Sequence, residues 1–325
     1  MELAGIHHIT AVSGSGPRNL DFYTRVLGLR LIKKTVNQDV PSTYHLFYGD
    51  EVGTPGTEMT FFEWPDVPAH RSGAGDVSAI GFVVPDRAAL EWWIERFDAE
   101  GVEHGSIEER AGRPGLSFLD PEGQRLQMIA GERASKTKPW NESTVPVEHA
   151  IRGFGAVTLV VRRQEPTQHV LTSVMGFRQS LQYSLNTGEQ VTVYETGPGG
   201  LGTEVHLVVQ PALPQAQTGI GGVHHVAFRT PTDEEHRQWQ QHLASAGLNV
   251  TPVIDRYYFR ALYFREPGGV LFEISTDGPG FATDEDVQHL GERLSLPPFL
   301  EPRRAEIEAV LPPLETTPAV STWRE

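Results

Sequence analysis

Four glycines, Gly28, Gly101, Gly176 and Gly247, each close an amphipathic run, and they follow one another at intervals of 73, 75 and 71 residues. A near-constant period of this length marks an internal repeat, in which each copy is one supersecondary unit. The spacing predicts helices over about Pro17–Leu27, over Asp86 to about Glu100, from near Pro166, and from the capping box Thr232-Asp233-Glu234-Glu235. Strand-like runs precede them at His7–Val12, Val77–Val84, Gly155–Val161 and His224–Arg229, and β-branched and aromatic runs separated by Gly/Pro turns follow. The unit is therefore β-α-β-β-β and the class is α+β. Gly56-Thr57-Glu58 echoes Gly202-Thr203-Glu204, and Asp120-Pro121-Glu122-Gly123 echoes Glu266-Pro267-Gly268-Gly269. These echoes pair unit one with three and unit two with four. The expected organisation is a two-unit domain over 1–135, a linker over 136–150, a second two-unit domain over 151–276, and an extension over 277–325 with one short helix at Arg304–Leu311.

Two of the four first strands open with a histidine pair, Gly5-Ile6-His7-His8-Ile9-Thr10 and Gly222-Val223-His224-His225-Val226-Ala227. The other two units act as an internal control. They carry Ser78-Ala79 and, by simple alignment, Gly153-Phe154, so the fold does not demand histidine there. Six residues after the turn proline of the last hairpin, unit four has Glu273 where unit two has Gln127, and the matching positions in units one and three fall near Phe61 and Leu207. Metal-ligating side chains thus gather in units one and four. Alternation along a strand places His8 inward with Thr10, and His225 inward with Ala227, while His7 and His224 start on the opposite face. A hairpin centred on Gly268 puts Tyr263 across from Glu273, although Tyr263 alone reads equally well as a core aromatic.

A lone His pair in a strand is as readily a hydrogen-bonded core element as a ligand. Two pairs together with a unit-specific Glu273 favour a metal site of two imidazoles and one carboxylate. Three ligands on one face leave positions open for substrate and O₂, as in mononuclear Fe(II) enzymes, and the same set could hold Mn²⁺ or Zn²⁺. The remaining histidines (His45, His70, His104, His149, His169, His206, His236, His242 and His289) read as structural. His206 stands out of phase with the inward position near Leu207.

Composition narrows the partners. A net charge of −15 argues against nucleic acid and anionic membrane surfaces. There is no cysteine, so disulfides, thiolate metal sites and thiol catalysis are absent. The N-terminus lacks a basic region followed by an apolar stretch, and no run of apolar residues is long enough to span a bilayer, so a cytoplasmic protein is expected.

These residues resemble the vicinal oxygen chelate superfamily, which includes glyoxalase I, fosfomycin-resistance proteins and extradiol dioxygenases. Within it the chain is similar to the hydroquinone-type ring-cleaving dioxygenases along nearly its whole length. The most specific stretches are His7-His8-Ile9-Thr10, Tyr44 to Thr57, Glu148-His149-Ala150, His224-His225, Pro267 to Glu273 and Gly280 to Asp286. The resemblance implies units paired into open barrel-like sheets and Fe(II) held by His8, His225 and Glu273. It further implies a surrounding set of His7, Thr10, His224, Arg256 and Tyr263, in which Arg256 rests on the resemblance alone. The implied partners are a para-diol aromatic and O₂, and a homo-oligomer is compatible with the family. Ligands in units one and four, rather than three and four as in catechol enzymes, favour the hydroquinone group. The rivals are a glyoxalase-like isomerase or thiol transferase and a quinone- or antibiotic-binding protein. The isomerase usually needs a further glutamate near Phe61, which only a register error toward Glu63 would supply; binding proteins often lose the ligand set kept here.

Overall fold

The structure, a computed structural model, describes residues 1–133 and 137–316. The expected boundary between residues 135 and 136 lies outside the described residues. Four units are present. Unit one holds β1 (Ile6–Ser13), β2 (Arg30–Val36), β3 (Tyr44–Gly49) and β4 (Glu58–Glu63). Unit two holds β5 (Asp76–Val84), β6 (His104–Arg110), β7 (Arg113–Leu119) and β8 (Arg125–Ala130). Unit three holds β9 (Phe154–Val161), β10 (Arg178–Ser184), β11 (Gln190–Glu195) and β12 (Glu204–Val209). Unit four holds β13 (Val223–Thr230), β14 (Ile254–Asp255), β15 (Arg260–Arg265) and β16 (Leu271–Thr276).

The strands form two eight-stranded curled sheets. One runs β14-β15-β16-β13-β1-β4-β3-β2 and the other β10-β11-β12-β9-β5-β8-β7-β6. Each sheet thus draws one unit from each half of the chain. The seam is an antiparallel pair of first strands, β1 with β13 and β5 with β9. That pairing brings the two histidine-bearing strands side by side.

The helices are α1 (Gly16–Asp21), α2 (Arg87–Glu100), α3 (Gln164–His169), α4 (Asp233–Ser245) and α5 (Arg304–Val310). Asp86 caps α2 by accepting from the Ala89 N–H, and Thr232 caps α4 by accepting from Glu235 N–H. All four stop glycines adopt the left-handed conformation, with φ between 67° and 82°. The helices differ in one respect that the repeat period conceals. In units two and four they are continuous α-helices. In units one and three a short α-helix passes into a π-helical turn, Phe22–Val26 and Val170–Val174.

That difference corrects the alignment of unit three. His8 lies level with Glu58 in the β1–β4 pairing, and Ala156 lies level with Glu204 in β9–β12. The equivalent of His7-His8 is therefore Gly155-Ala156, two residues beyond Gly153-Phe154. First strand and stop glycine are closer by two residues in the units with π-turns, so a single offset misplaces unit three. The last-strand position also shifts by one. Parallel pairing sets Ala227 beside Glu273, Thr10 beside Thr60, Gly81 beside Gln127 and Thr158 beside His206. The equivalents of Glu273 are thus Thr60, Gln127 and His206. Phe61 and Leu207 are buried in the hydrophobic core instead.

The extension from Asp277 packs on the first sheet, against residues that include Phe47, Tyr258 and Phe259 of the cavity beside the histidines. Phe281 and Leu290 pack with Ile32, Phe47, Tyr258 and Phe259, and Ile307 of α5 packs with Val36. No helix among the described residues is long and apolar enough to cross a membrane.

Candidate metal centre

β-Bulges decide how the histidine pairs present themselves. Between Ile6 and His8 the β1–β13 register shifts by one residue, and His7 is the extra one. Between Thr10 and Ala11 it shifts again, and His224 is the extra residue on β13. A bulge breaks strict alternation, so the first histidine of each pair need not point away from the second. His7 Nδ1 comes to 3.0 Å from His8 Nδ1, and His224 Nδ1 to 2.8 Å from His225 Nδ1. The other seam bulges at the same places, with Ser78 as an extra residue on β5 and a further residue on β9. The bulges belong to the fold; the histidines belong to one sheet.

His8, His225 and Glu273 converge. The two Nε2 atoms are 3.2 Å apart, and Glu273 Oε2 lies 2.8 Å from His225 Nε2 and 3.4 Å from His8 Nε2. All three side chains are buried. Ser275 Oγ donates to the other carboxylate oxygen at 2.5 Å. Among the described residues, Glu273 Oε2 has no well-formed hydrogen bond. A buried carboxylate oxygen left in that way, facing two ring nitrogens, fits a divalent cation shared by all three. Burial pushes the Glu273 carboxyl up, but His8 and His225 outweigh it and hold it well below the usual range. Burial lowers His8 to about 4 against the pull of Glu273. A carboxylate with neutral imidazole is the ionisation state that metal binding needs.

A second group, His7, His8 and Glu58, also lies within ligand distance. His8 belongs to both groups, through opposite ring nitrogens: Nε2 faces Glu273, and Nδ1 faces His7. The cavity distinguishes the two. It is lined by His8 and His225 together with His45, Arg256, Phe259 and Tyr263, but not by His7 or by either carboxylate, so the group that opens to it is the one containing His225. His7 instead bonds the Thr276 carbonyl through Nε2 at 3.1 Å. Burial lowers its pKa, but Glu58 outweighs burial and raises it.

The other expected site residues are arranged around this point. Tyr263 pairs directly with Glu273 across β15–β16, and its ring stands 5.6 Å from that of His225. Burial, and then Glu273, raises the Tyr263 hydroxyl above its ordinary value. Arg256 lies over the Tyr263 ring at 5.6 Å and donates to Asp39 at 2.9 Å. Thr10 is fully buried and shares a 2.8 Å hydrogen bond with Thr60. His224 packs edge-on against Phe62 and Trp64, outside the cavity lining, and burial followed by the neighbouring His225 lowers it to about 3.

Three features escape a reading by alternation. His45, expected to be structural, lines the cavity and bonds Thr60 Oγ1 at 3.0 Å. Its position opposite Phe62 across β3–β4 could have been found once Thr60 was recognised as the inward residue. Thr35 Oγ1 is buried in the cavity wall with no hydrogen-bond partner among the described residues. Glu58, noticed only as part of a repeat echo, sits beside His7. Glu63 does not supply a further ligand: it faces the opposite side and accepts from the Gly16 N–H at 2.7 Å.

The chain is similar to known proteins along most of its length. The Glyoxalase/Bleomycin resistance protein/Dioxygenase superfamily matches over residues 5–128 and 153–274. A Bacillus subtilis protein provisionally named ring-cleaving dioxygenase MhqA is 48% identical over 97% of this chain and 100% of its own length. A chlorohydroquinone/hydroquinone 1,2-dioxygenase of Sphingobium indicum is 33% identical over 93% of this chain and 94% of its own. The crystal structure of a provisionally named dioxygenase from Bacillus subtilis superposes with a TM-score of 0.89 at 40% identity, covering 98% of this chain and 99% of that one. Glyoxalase I of Zea mays, at 14% identity and a TM-score of 0.62 over 84% of this chain and 92% of its own, shares the fold.

Proposed function

The chain belongs to the Glyoxalase/Bleomycin resistance protein/Dioxygenase superfamily, and from that premise we propose that it is a ring-cleaving dioxygenase that holds Fe(II) and opens a para-diol (hydroquinone-type) ring with O₂. The observation that carries this reading is a three-ligand set, His8, His225 and Glu273, whose two histidines line an aromatic cavity, with Thr60 rather than a glutamate at the fourth equivalent position. Bound there, ferrous iron would supply a Lewis acid for a phenolic oxygen and a path for electrons between diol and O₂.

The chain's own residues do the rest. Phe259, Phe62 and Phe47 line the cavity and would hold the ring while keeping water out. Tyr263, kept protonated by burial and Glu273, can donate its O–H to an anionic oxygen. Arg256 adds a fixed positive charge at the same wall. Thr35 Oγ1, buried and without a hydrogen-bond partner among the described residues, offers a second polar anchor, as a ring with two separated hydroxyls requires. His7, His224 and Thr10 would act indirectly, by fixing the ring orientations of His8 and His225 and the position of Thr60.

Loading the protein anaerobically with Fe(II) and following O₂ consumption tests this reading. Uptake with methylhydroquinone that disappears in Glu273→Ala supports it; no uptake from the iron-loaded protein with any diol removes it.

A further inference from the structure

The second sheet repeats the plan of the first without its metal ligands. Where the first has His8 and His225, the second has Ala156 and Ala79, and where the first has Glu273, the second has Gln127. Truncating two imidazoles to methyl groups opens space. An open groove of about 690 Å³, with Ala79 in its wall, lies on the concave face of this sheet, against about 40 Å³ beside the metal centre. The larger volume lies within the range of small-molecule sites, about 300–1,000 Å³.

Tyr183 lines that cavity, and behind it, outside the cavity lining, stands a tightly organised polar chain. His206, at the fourth equivalent position, is 6% exposed, and Glu204 beside it is 2% exposed. Arg113 holds Glu204 with two hydrogen bonds at 2.8 and 2.9 Å. His206 Nε2 lies 3.0 Å from Glu204, and His206 Nδ1 lies 3.0 Å from the Tyr183 hydroxyl. A carboxylate only accepts, so Nε2 carries the ring proton, and in the neutral ring Nδ1 accepts from Tyr183. The Tyr183 oxygen then has its lone pairs left to accept from a further O–H. Apolar side chains, among them Phe118, Leu126 and Val208, line the same cavity. Folding does not require the buried Glu204–His206 pair here, since an apolar pair would pack at lower cost.

We propose that the second half-barrel is a metal-free binding site for a small phenolic ligand, whose ring lies against the apolar wall and whose O–H donates to Tyr183. If the dioxygenase reading holds, such a ligand resembles the substrate, and the site is a second place where it is sensed. The inference itself needs neither metal nor turnover, so it stands or falls apart from that reading.

Anaerobic isothermal titration of the full chain with 4-fluorophenol and with 4-fluoroanisole tests it. The site predicts a class of phenol binding that does not depend on the metal centre. Tyr183→Phe should weaken that class roughly tenfold, the scale of one hydrogen bond, and leave any binding at the metal centre unchanged. The anisole, which has no O–H to donate, should bind wild type and Tyr183→Phe alike. Ala79→Phe, which fills the cavity, should remove that class altogether, with circular dichroism and the melting temperature reporting that the variant folds. Wild type with no class of phenol binding that Ala79→Phe removes, or a Tyr183→Phe protein that binds the phenol as wild type does, overturns the proposal.

Discussion

Tyr263 stands directly opposite Glu273 on adjacent antiparallel strands, so its hydroxyl and the proposed carboxylate ligand share one face of the sheet. Because burial and Glu273 both raise its pKa, the hydroxyl remains a donor through the neutral range. Tyr263→Phe should therefore lower kcat by roughly a hundredfold, the scale of one lost acid–base group, with a smaller effect on KM. Bound metal, measured on the same preparation, should stay at the wild-type level. A fall in metal content equal to the fall in kcat would instead make Tyr263 a support for the ligands.

Glu273 has a different signature. Removing it leaves two buried imidazoles with no anionic partner, so Glu273→Ala should lose most of its metal by elemental analysis. Metal stabilises only the state that binds it. Adding a chelator should therefore lower the wild-type melting temperature and leave that of Glu273→Ala nearly unchanged. Equal chelator sensitivity in the two proteins would place the metal elsewhere, with His7, His8 and Glu58 the next group to test.

Lys33 ties the C-terminal extension to the first sheet. It is fully buried, donates to Asp284 at 2.7 Å and to the Phe281 carbonyl at 3.0 Å, and also contacts Glu285. Lys33→Met leaves the buried Glu285 with only the 3.7 Å contact to Arg293, which should cost about 3 kcal/mol in a denaturant titration. Replacing Lys33 and Glu285 together with apolar residues should recover part of that loss. If the single variant is as stable as wild type, the extension does not depend on this ion pair.

Glu204 makes stability depend on pH. Burial pushes its carboxyl up, but His206 and Arg113 prevail and hold it at about 2, below the ordinary 4.5. A folded-state value below the unfolded one stabilises the protein above about pH 4.5, and that stabilisation is lost as pH falls toward 2. The melting-temperature gap between wild type and Glu204→Gln should therefore be constant above about pH 5 and narrow below about pH 4. A gap that widens on acidification would contradict the assignment of Glu204 as the ionised partner.

Much of this arrangement can be read from the chain. The period of the stop glycines reveals four units, and histidine pairs in units one and four point to the seam at which they meet. The pairing of Tyr263 with Glu273 follows from counting across one tight hairpin. What could not be read depends on departures from regular geometry. The bulges at His7 and His224 defeat alternation, and so His7 comes back beside His8. The π-turns in units one and three shift Ala156 out of the expected column. A one-residue error in the fourth strands hid Thr60 and His206 behind Phe61 and Leu207, and with them the inward role of His45. The Arg256–Asp39 pair joins residues far apart in sequence through two loops, and no local pattern announces it.

The most direct measurement is O₂ consumption by anaerobically Fe(II)-loaded protein, with methylhydroquinone and catechol compared side by side. The account predicts rapid uptake with the para-diol, much slower uptake with catechol, and none with methylhydroquinone in Glu273→Ala. Bound iron with no uptake from either diol, or full uptake in Glu273→Ala, would contradict it.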